Sequence, residues 1–388
     1  MHSNKLLTKG RLLPKASISS KPIAEFDKYE IVNDANSNAV ALGEGASGKV
    51  FLVRKKATNE LFVLKGLGKT DTKSLRSLKK EAEIQIRLIH NNIIRLHEFI
   101  EGPQSTLLVM EYARYGSLNK LLKERGHLTE EQAFSYFIQV CDAVHFLHSH
   151  DLIHRDIKPS NLLFISPSQV KLADFDCCTC SNYRLKVLCG TSEYIAPEVL
   201  SCKPYDQKAD VWSLGILLFE MVHGYTPFKA RRRRDTYLKI FKGKIIFSEQ
   251  IKNDLKDLIV RILRLEDKGR PTIEEILNHP WIQRMSRKSL EDKENVKKNS
   301  VLDVIERTEN TVIEERDIEE ISPSMNHNYS ACDLIQDKVK RAYIFATTRT
   351  LSSKRKSYVK ERKVMKKNNQ NEFSMLSLFF PSTDNSMI

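Results

Sequence analysis

The sequence predicts an α+β fold with two lobes, a small one rich in β-strands and a larger helical one, with disordered tails. Apolar residues recur with strand or helix periodicity only between about residues 29 and 285. Outside this range the chain is charged and carries only short apolar patches, as is typical of disordered tails. We therefore divide it into a basic N-terminal extension (1–28), a central domain (29–285) and a charged, largely disordered C-terminal tail (286–388).

The small lobe is predicted from the first third of the central domain. Residues 39–65 consist of apolar stretches separated by glycine turns, which indicates β-strands. Residues 72–89 carry apolar side chains at three- and four-residue spacing and are predicted to form a helix. Residues 106–112 form a short apolar run typical of a buried strand.

The large lobe is predicted from residue 117 onward, where apolar residues follow helical spacing over 117–126, 130–150 and 209–224. A strand-rich lobe and a helical lobe that follow one another enclose a cleft, and clefts are where proteins bind small ligands.

Composition limits the class of protein. The chain has 388 residues, 41% of them apolar, which is enough to bury a core. No run approaches the roughly 18 apolar residues of a membrane helix. The N-terminus lacks the pattern of a secretory signal, although its basic, serine-bearing composition leaves a mitochondrial presequence open.

Seven cysteines, an odd number, indicate a reducing compartment, so we expect an intracellular protein of the cytoplasm, the nucleus or both. The net charge of +14 suggests acidic partners.

A glycine-rich turn lies between the first two predicted strands. Residues 43–50 follow the pattern G-x-G-x-x-G-x-V, in which glycines let the backbone approach phosphates. The same spacing marks dinucleotide sites, but there a helix follows. Here residues 49–55 continue as a strand, which disfavours a dinucleotide site.

Lys65 ends the next predicted strand. A lysine at a strand end is ordinarily solvated, but after a glycine-rich turn it is suited to bind phosphates. Such a lysine needs a carboxylate to hold it, and Glu81 on the following helix is the candidate. Glu83 is the competitor, but it lies about 200° further round the helix.

Residues 154–161, His-Arg-Asp-Ile-Lys-Pro-Ser-Asn, carry the strongest indication of chemistry. Asp156 can accept the hydrogen bond of an attacking hydroxyl, and Lys158 can neutralise a moving phosphoryl group. Asn161 and a second carboxylate can hold magnesium. That carboxylate is Asp174, which follows a short apolar strand and is suited to chelate the metal against phosphates.

These motifs resemble the eukaryotic protein kinases over about residues 29–285, in the family's order. Further matches are Ala196-Pro197-Glu198, Asp210 with Trp212 to Gly215, Arg270, and His279 to Trp281. The resemblance implies the two-lobed protein kinase fold and transfer of the γ-phosphate of ATP, with Mg²⁺, to Ser/Thr hydroxyls of protein substrates. It also implies a Glu198–Arg270 pair, and a Thr191 that bonds the catalytic aspartate and lysine.

The resemblance assigns the site residue by residue. Catalytic roles fall on Lys65, Glu81, Asp156, Lys158 and Thr191, and magnesium binding falls on Asn161 and Asp174. ATP binding falls on Leu42, Gly43, Glu44, Gly45, Ala46, Ser47, Gly48, Val50, Val63, Lys65, Met110, Glu111, Ala113, Leu163 and Ala173.

Short runs such as Glu81 to Gln85, Asn92 to Leu96 and Leu188 to Thr191 are similar to the Aurora kinases. Polo-like and calmodulin-dependent-type kinases share several of them, so these subfamilies stay open.

Two residues depart from the family's pattern. Asp176 stands where the family usually has glycine, whose backbone angles cost other residues roughly 1–2 kcal/mol. Its charge beside the metal site either weakens ATP binding or strengthens magnesium binding, and we expect it to slow turnover.

The second departure is Val187, which stands where Aurora-like chains carry the activating phosphothreonine. In the family, Arg155 normally binds that phosphate. Activation is therefore expected to be phosphate-independent or to use one of three nearby hydroxyls, namely Thr179, Ser181 and Tyr183.

Three further features have more than one interpretation. Cys177, Cys178 and Cys180 lack a second pair spaced for zinc, which leaves redox-sensitive thiols or ordinary loop residues. The run 231–234, four arginines, either attracts substrate, forms a solvated loop or serves as a localisation signal. Ser160 replaces an acid of kinases that prefer basic substrates, whereas Glu220 retains another, so the substrate consensus stays open.

Two classes of function remain: an active kinase, or a nucleotide-binding pseudokinase that acts as a scaffold. With either, residues 338–367, which hold twelve Lys or Arg and one acid, are expected to bind an anionic partner. Nucleic acid, a microtubule or a lipid surface are the candidates, and nuclear localisation alone is the alternative. The oligomeric state is left unknown.

Overall fold

The computed structural model describes residues 7–14, 21–22, 27–36, 38–45, 48–68, 72–101, 105–180 and 190–292. Several predictions fall outside these ranges, namely those on the basic segment 338–367 and on Ala46, Ser47, Ser181, Tyr183 and Val187. Within the described ranges, no helix is both long enough and apolar enough to span a bilayer.

A seven-stranded sheet forms the small lobe. The strands of this part of the chain are β1 (Arg11–Leu12), β2 (Lys21–Pro22), β3 (Tyr29–Ile31), β4 (Ala41–Gly45), β5 (Gly48–Lys55), β6 (Leu61–Gly68), β7 (Leu88–Ile89), β8 (Leu96–Glu101) and β9 (Ser105–Glu111). The order in the sheet is β2-β8-β9-β6-β5-β3, and β4 pairs with β5. Its pairs are antiparallel except β2 with β8. β1 pairs with β7 outside this sheet. The strands predicted in 39–65 and 106–112 are confirmed.

Helix α1 (Thr72–Gln85) is four residues shorter than predicted. Ile86 and Leu88 have carbonyl oxygens that accept hydrogen bonds from the Arg95 guanidinium at 3.0 and 2.8 Å. Residues 88–89 then pair as a strand with β1. The backbone groups of residues 88–89 therefore bond to β1, which is distant in sequence, and the helix ends before them. Apolar spacing alone does not reveal such a partner.

The large lobe is helical and carries two short two-stranded sheets. Its helices are α2 (Leu118–Arg125), α3 (Glu130–His148), α4 (Pro197–Leu200), α5 (Lys208–His223), α6 (Arg233–Lys242), α7 (Asn253–Ile262) and α8 (Ile273–Leu277). Helical backbone also covers 280–292, across the boundary predicted at 285. One of these sheets pairs β10 (Leu152–Ile153) with β13 (Thr179–Cys180), and the other is a hairpin of β11 (Leu162–Ser166) and β12 (Gln169–Leu172). The three helices predicted here are confirmed within a few residues.

Helix α5 is the centre of the large-lobe core. It is buried on nearly all sides, and Trp212 has no exposed surface. A Cβ atom on Gly215 would lie 2.5 Å from Ile262, so glycine lets α7 approach closely. Arg270 stacks over Trp212 at 5.0 Å and forms two 2.7 Å bonds with Glu198. The predicted Glu198–Arg270 pair is therefore present and buried.

The N-terminal extension is not entirely separate from the domain. Residues 7–14 contact α3 and β7, and residues 21–22 form β2 on the edge of the sheet. The folded part of the chain therefore begins before residue 29, because these short segments find backbone and side-chain partners in the central domain.

Candidate active site

Asp156 lies in the loop between β10 and β11, and each of its carboxylate oxygens accepts hydrogen bonds. Oδ2 accepts from Lys158 Nζ at 2.6 Å and from Asn161 Nδ2 at 3.0 Å. Oδ1 accepts from the backbone N–H and the hydroxyl of Thr191, both at 3.1 Å. Lys158 Nζ also reaches the Thr191 hydroxyl at 2.8 Å. Together these contacts fix the orientation of the carboxylate. The bonds of Thr191 to Asp156 and Lys158 are those that the resemblance implied.

Asp210 on α5 stabilises the loop that carries Asp156 through hydrogen bonds to its backbone. Its carboxylate is fully buried and accepts the backbone N–H groups of His154 and Arg155 at 2.9 and 2.8 Å. His148 Nε2 lies 2.9 Å away. Burial alone would raise the Asp210 pKa, but these bonds outweigh it and the pKa lies below its ordinary value. The charged carboxylate stabilises Arg155 in a left-handed conformation (φ 68°), which non-glycine residues rarely adopt.

Gly190 allows the Thr191 contact to form. Its φ is +104°, and a Cβ atom there would lie 2.6 Å from the carbonyl oxygen of Arg155. Any side chain would force the two segments apart, so glycine is required for Thr191 to reach Asp156.

Lys65 and Glu81 form a buried ion pair, with Lys65 Nζ 2.8 and 3.0 Å from the two carboxylate oxygens. Burial would lower the Lys65 pKa, but the charges of Glu81 and Asp174 outweigh it and raise the pKa above its ordinary value. Lys65 is therefore cationic. Glu83, the competitor, is exposed.

Asp174 has an oxygen without a hydrogen bond. Within the described residues, its buried Oδ1 accepts none, although Lys65 Nζ lies 3.7 Å away. Asn161 uses its amide nitrogen to bond Asp156, and its amide oxygen accepts only a long hydrogen bond, 3.5 Å, from the Ser160 hydroxyl among the described residues. An unsatisfied carboxylate oxygen and an amide oxygen are hard ligands of the kind that Mg²⁺ prefers. The residues present therefore fit a magnesium ion.

The predicted adenine-binding residues are contributed by both lobes. In the small-lobe sheet Val63 pairs with Met110, and Val50 pairs with Lys65. Across the cleft, Leu163 is on β11 and Ala173 immediately follows β12. Among the members with a described side chain, Val50, Val63, Met110, Glu111, Ala113 and Leu163 are half-buried, Leu42 is exposed, and Lys65 and Ala173 are buried.

The glycine-rich turn is described at its two ends. Gly43 pairs with Val50, Glu44 with Lys49, and Gly45 with Gly48. A Cβ atom on Gly43 would meet nothing within 4 Å, so Gly43 borders open space.

The side chain of Glu111 makes two polar contacts that fix its position. Its carboxylate accepts from Lys171 Nζ at 2.8 Å and from the backbone N–H of Arg95 at 3.1 Å. The carboxylate is thus tied to β12 and to the chain before β8. Its position would fix the chain segment that links the lobes.

Asp176 does not adopt the backbone conformation that the sequence suggested. The residue with positive φ here is Asp174 (φ 65°), and Asp176 is not in the left-handed region. The expected backbone cost of replacing glycine therefore does not arise at this position. The electrostatic effect remains, since the charge of Asp176 contributes to the raised Lys65 pKa.

Arg155 has partners that need no phosphate. Its Nε donates to the carbonyl oxygen of Cys177 at 2.6 Å, and its Nη1 donates to the Tyr205 hydroxyl at 3.0 Å. Thr179, one of the alternative phosphate acceptors, accepts from Lys80 on α1 at 3.4 Å. Sequence reasoning missed Tyr205, because nothing local to it indicates a partner 50 residues upstream.

The three clustered cysteines differ in environment. Cys177 is disulfide-bonded, Cys178 is fully buried and Cys180 is exposed. Burial raises the Cys178 pKa far above its ordinary value, so this thiol is unreactive. No group of three metal-binding side chains occurs in the described part of the chain, which gives the zinc interpretation no support there.

Two glutamates, Glu193 and Glu220, lie close together, and Glu193 is two residues after Thr191. Glu220 on α5 accepts a hydrogen bond from the Tyr194 hydroxyl, and Glu193 accepts one from Thr226. Burial, together with the charge of Glu193, raises the Glu220 pKa to about 7. Arg233 of the four-arginine run donates to Ser192 at 2.7 Å, so this run does lie next to the same segment.

Comparison with known proteins agrees with this geometry. The protein kinase domain family matches residues 37–282. An Aurora kinase of Dictyostelium discoideum is 38% identical over 255 residues, covering 64% of this chain and 66% of that protein. The serine/threonine-protein kinase Aurora-1 of Arabidopsis thaliana is 36% identical over 246 residues, covering 62% and 84%. A probable serine/threonine-protein kinase, MARK-A, of Dictyostelium discoideum is 36% identical over 274 residues, covering 69% of this chain and 25% of that protein.

The family match covers more than half of the chain and includes residues 154–161, Asp174 and Lys65. The resemblance to Aurora kinases is confirmed by relatives from an amoeba and a plant. The chain therefore belongs to the protein kinase family, beside the Aurora serine/threonine kinases.

Proposed function

We propose that this protein is an active kinase that transfers the γ-phosphate of ATP, with Mg²⁺, to Ser or Thr hydroxyls of protein substrates. The observation that carries the proposal is the set of hydrogen bonds around Asp156. Lys158, Asn161 and Thr191 hold its carboxylate in one orientation, which is what positioning an attacking hydroxyl requires.

In the proposed reaction, the substrate hydroxyl oxygen attacks the γ-phosphorus and the bond to the bridging oxygen of ADP breaks. Asp156 orients the hydroxyl and accepts its proton as the new P–O bond forms. Lys158, 2.6 Å from Asp156, places a positive charge beside the phosphoryl group in transit.

Lys65 would bind the non-transferred phosphates, because it is cationic and Glu81 restricts its side chain. Asn161 and Asp174 would hold magnesium through the Asp174 oxygen that accepts no hydrogen bond and through the Asn161 amide oxygen, to which the Ser160 hydroxyl donates at 3.5 Å. When bound, the metal neutralises the charge that develops on the phosphates.

The decisive experiment is phosphate transfer from radiolabelled ATP to a generic protein substrate, with Asp156→Asn as the matched control. We expect strong labelling by the natural chain and loss of at least about 10³-fold in the control, since the variant cannot accept the proton. Equal labelling by both would end the enzyme proposal and leave the pseudokinase scaffold, for which Asp176 is the supporting feature.

The division into an N-terminal extension, a kinase domain and a C-terminal tail stays a proposal, as does an anionic partner for residues 338–367. Twelve basic residues in this segment support attraction to polyanions. Binding of the full chain to RNA, to microtubules and to anionic vesicles should weaken as salt rises, and substituting the basic residues should remove it. Binding that ignores salt would contradict this.

A further inference from the structure

Residues 7–14 lie in a groove between β7 and α3. Arg11 pairs with Ile89, and Leu12 pairs with Leu88. Leu13 extends the contact, because its N–H donates to the carbonyl oxygen of Arg87 at 2.9 Å and its carbonyl oxygen accepts from Arg87 Nε at 2.7 Å. The segment is thus held along its backbone as an added strand, the mode by which many peptides bind to exposed sheet edges.

Thr8 satisfies a buried charge on α3. The carboxylate of Asp142 is only 3% exposed. Its Oδ1 accepts the Thr8 N–H at 3.0 Å, and its Oδ2 accepts the Thr8 hydroxyl at 2.6 Å. Within the described residues, its one other close partner is His90, with Nε2 3.5 Å from Oδ2. Burying a carboxylate is costly without donors, so the groove is incomplete without a residue such as Thr8.

His90 completes this network. Its Nδ1 accepts the N–H of Asn92 at 3.1 Å, which places the ring proton on Nε2. Nε2 lies 3.0 Å from the Thr8 hydroxyl and donates to it. The hydroxyl therefore accepts from His90 and donates to Asp142. A residue without a hydroxyl cannot do both.

Gly10 crosses the groove where it is narrowest. His90 stacks on Phe146 with ring centroids 4.9 Å apart, and this pair forms the floor. A Cβ atom on Gly10 would lie 2.4 Å from the Phe146 ring and 2.8 Å from His90. Both rings are buried, so they cannot move aside, and glycine is the residue that fits here.

We propose that the groove between β7 and α3 is a peptide-docking site, that residues 7–14 are its intramolecular ligand, and that docking fixes the position of α1. Its ligand class is an extended peptide with a hydroxyl residue two positions before a glycine and an apolar residue two positions after it. Leu12 supplies the apolar contact and packs against the large-lobe core. α1 carries Glu81 and leads into β7 through two residues, so the segment ties α1 to α3 of the large lobe.

The first test is hydrogen exchange on the full chain. Thr8→Val removes the hydroxyl, and Gly10→Val introduces the clash, whereas Lys9→Ala changes an exposed neighbour as control. We expect exchange of the amides in α1 and β7 to rise roughly tenfold in the first two variants, because a hydrogen bond to a charged group is lost. Exchange in α5 and α7 should stay unchanged. No change in β7, or an equal rise throughout the domain, would overturn the proposal.

The second test is binding in trans. A fluorescent peptide of residues 5–16 should bind the Gly10→Val chain more tightly than the natural chain, whose groove is already occupied. The same peptide carrying Thr8→Val should bind about tenfold more weakly. If Gly10→Val does not fold, the Thr8→Val chain serves as the acceptor. Equal binding to both chains, or binding that ignores the Thr8 hydroxyl, would contradict the docking site. Neither test depends on the proposed kinase activity.

Discussion

The guanidinium of Arg155 joins the catalytic loop to Tyr205 through a 3.0 Å hydrogen bond and to the Cys177 carbonyl oxygen through a 2.6 Å bond. Arg155 precedes Asp156 directly, so its partners influence the orientation of the catalytic carboxylate. In a kinase that needs an activating phosphate this guanidinium would bind the phosphate, whereas here its Nη1 donates to a tyrosine hydroxyl and its Nε to a backbone carbonyl.

Tyr205→Phe should therefore lower kcat roughly tenfold, since a hydrogen bond to a charged group contributes about 1.5–3 kcal/mol. Phosphatase treatment of the natural chain should leave kcat within a factor of two. Steady-state kinetics measure both, with Tyr115→Phe, on an exposed tyrosine, as the matched control. Full loss of activity on phosphatase treatment would show that a phosphate is required after all.

Glu81→Gln should reduce kcat/KM for ATP by roughly ten- to a hundredfold, because Lys65 loses the carboxylate that holds it. The Lys65 pKa should also fall, since the Glu81 charge is the leading cause that raises it against burial. The alkaline limb of the pH–rate profile should therefore move to lower pH. Glu83→Gln, on the exposed side of the same helix, is the control. Equal losses in the two variants would argue against the assigned pair.

Asp176→Asn should raise kcat by a few-fold, because it removes a negative charge near the phosphates while keeping the size of the side chain. Asp176→Gly should behave the same way, since residue 176 needs no left-handed conformation. Initial rates over a magnesium titration test both variants. An unchanged rate and unchanged magnesium dependence would refute the idea that Asp176 slows the enzyme.

Glu220→Gln should remove a pH-dependent loss of stability. Folding raises the Glu220 pKa from 4.5 to about 7, so the fold favours the protonated form. Its contribution is fully present below pH 4.5 and is lost as pH rises to about 7. Between pH 5.5 and 7, the natural chain should lose roughly 2 kcal/mol more unfolding free energy than the variant. Urea denaturation measures this, and Glu249→Gln, on an exposed glutamate, should follow the natural chain.

Local patterns sufficed for much of this protein. Strands β5 and β6 and helices α3 and α5 follow from periodicity, and the bond from Thr191 to Asp156 was implied by the resemblance to protein kinases. The end of α1 could not be predicted, because Leu88 and Ile89 continue the helical apolar spacing and only the distant strand β1 makes them a strand. Tyr205 and Thr8 were missed for the same reason, since each acts on a partner far away in sequence.

The family match begins at residue 37, whereas the groove between β7 and α3 is filled by residues 7–14. A shortened version cut at the family border would keep every catalytic residue and yet expose a buried carboxylate, two stacked rings and an unpaired strand edge. Such an edge invites pairing with other chains. Aggregation or weak activity of that shortened protein would then reflect where it was cut, and would say little about the enzyme itself.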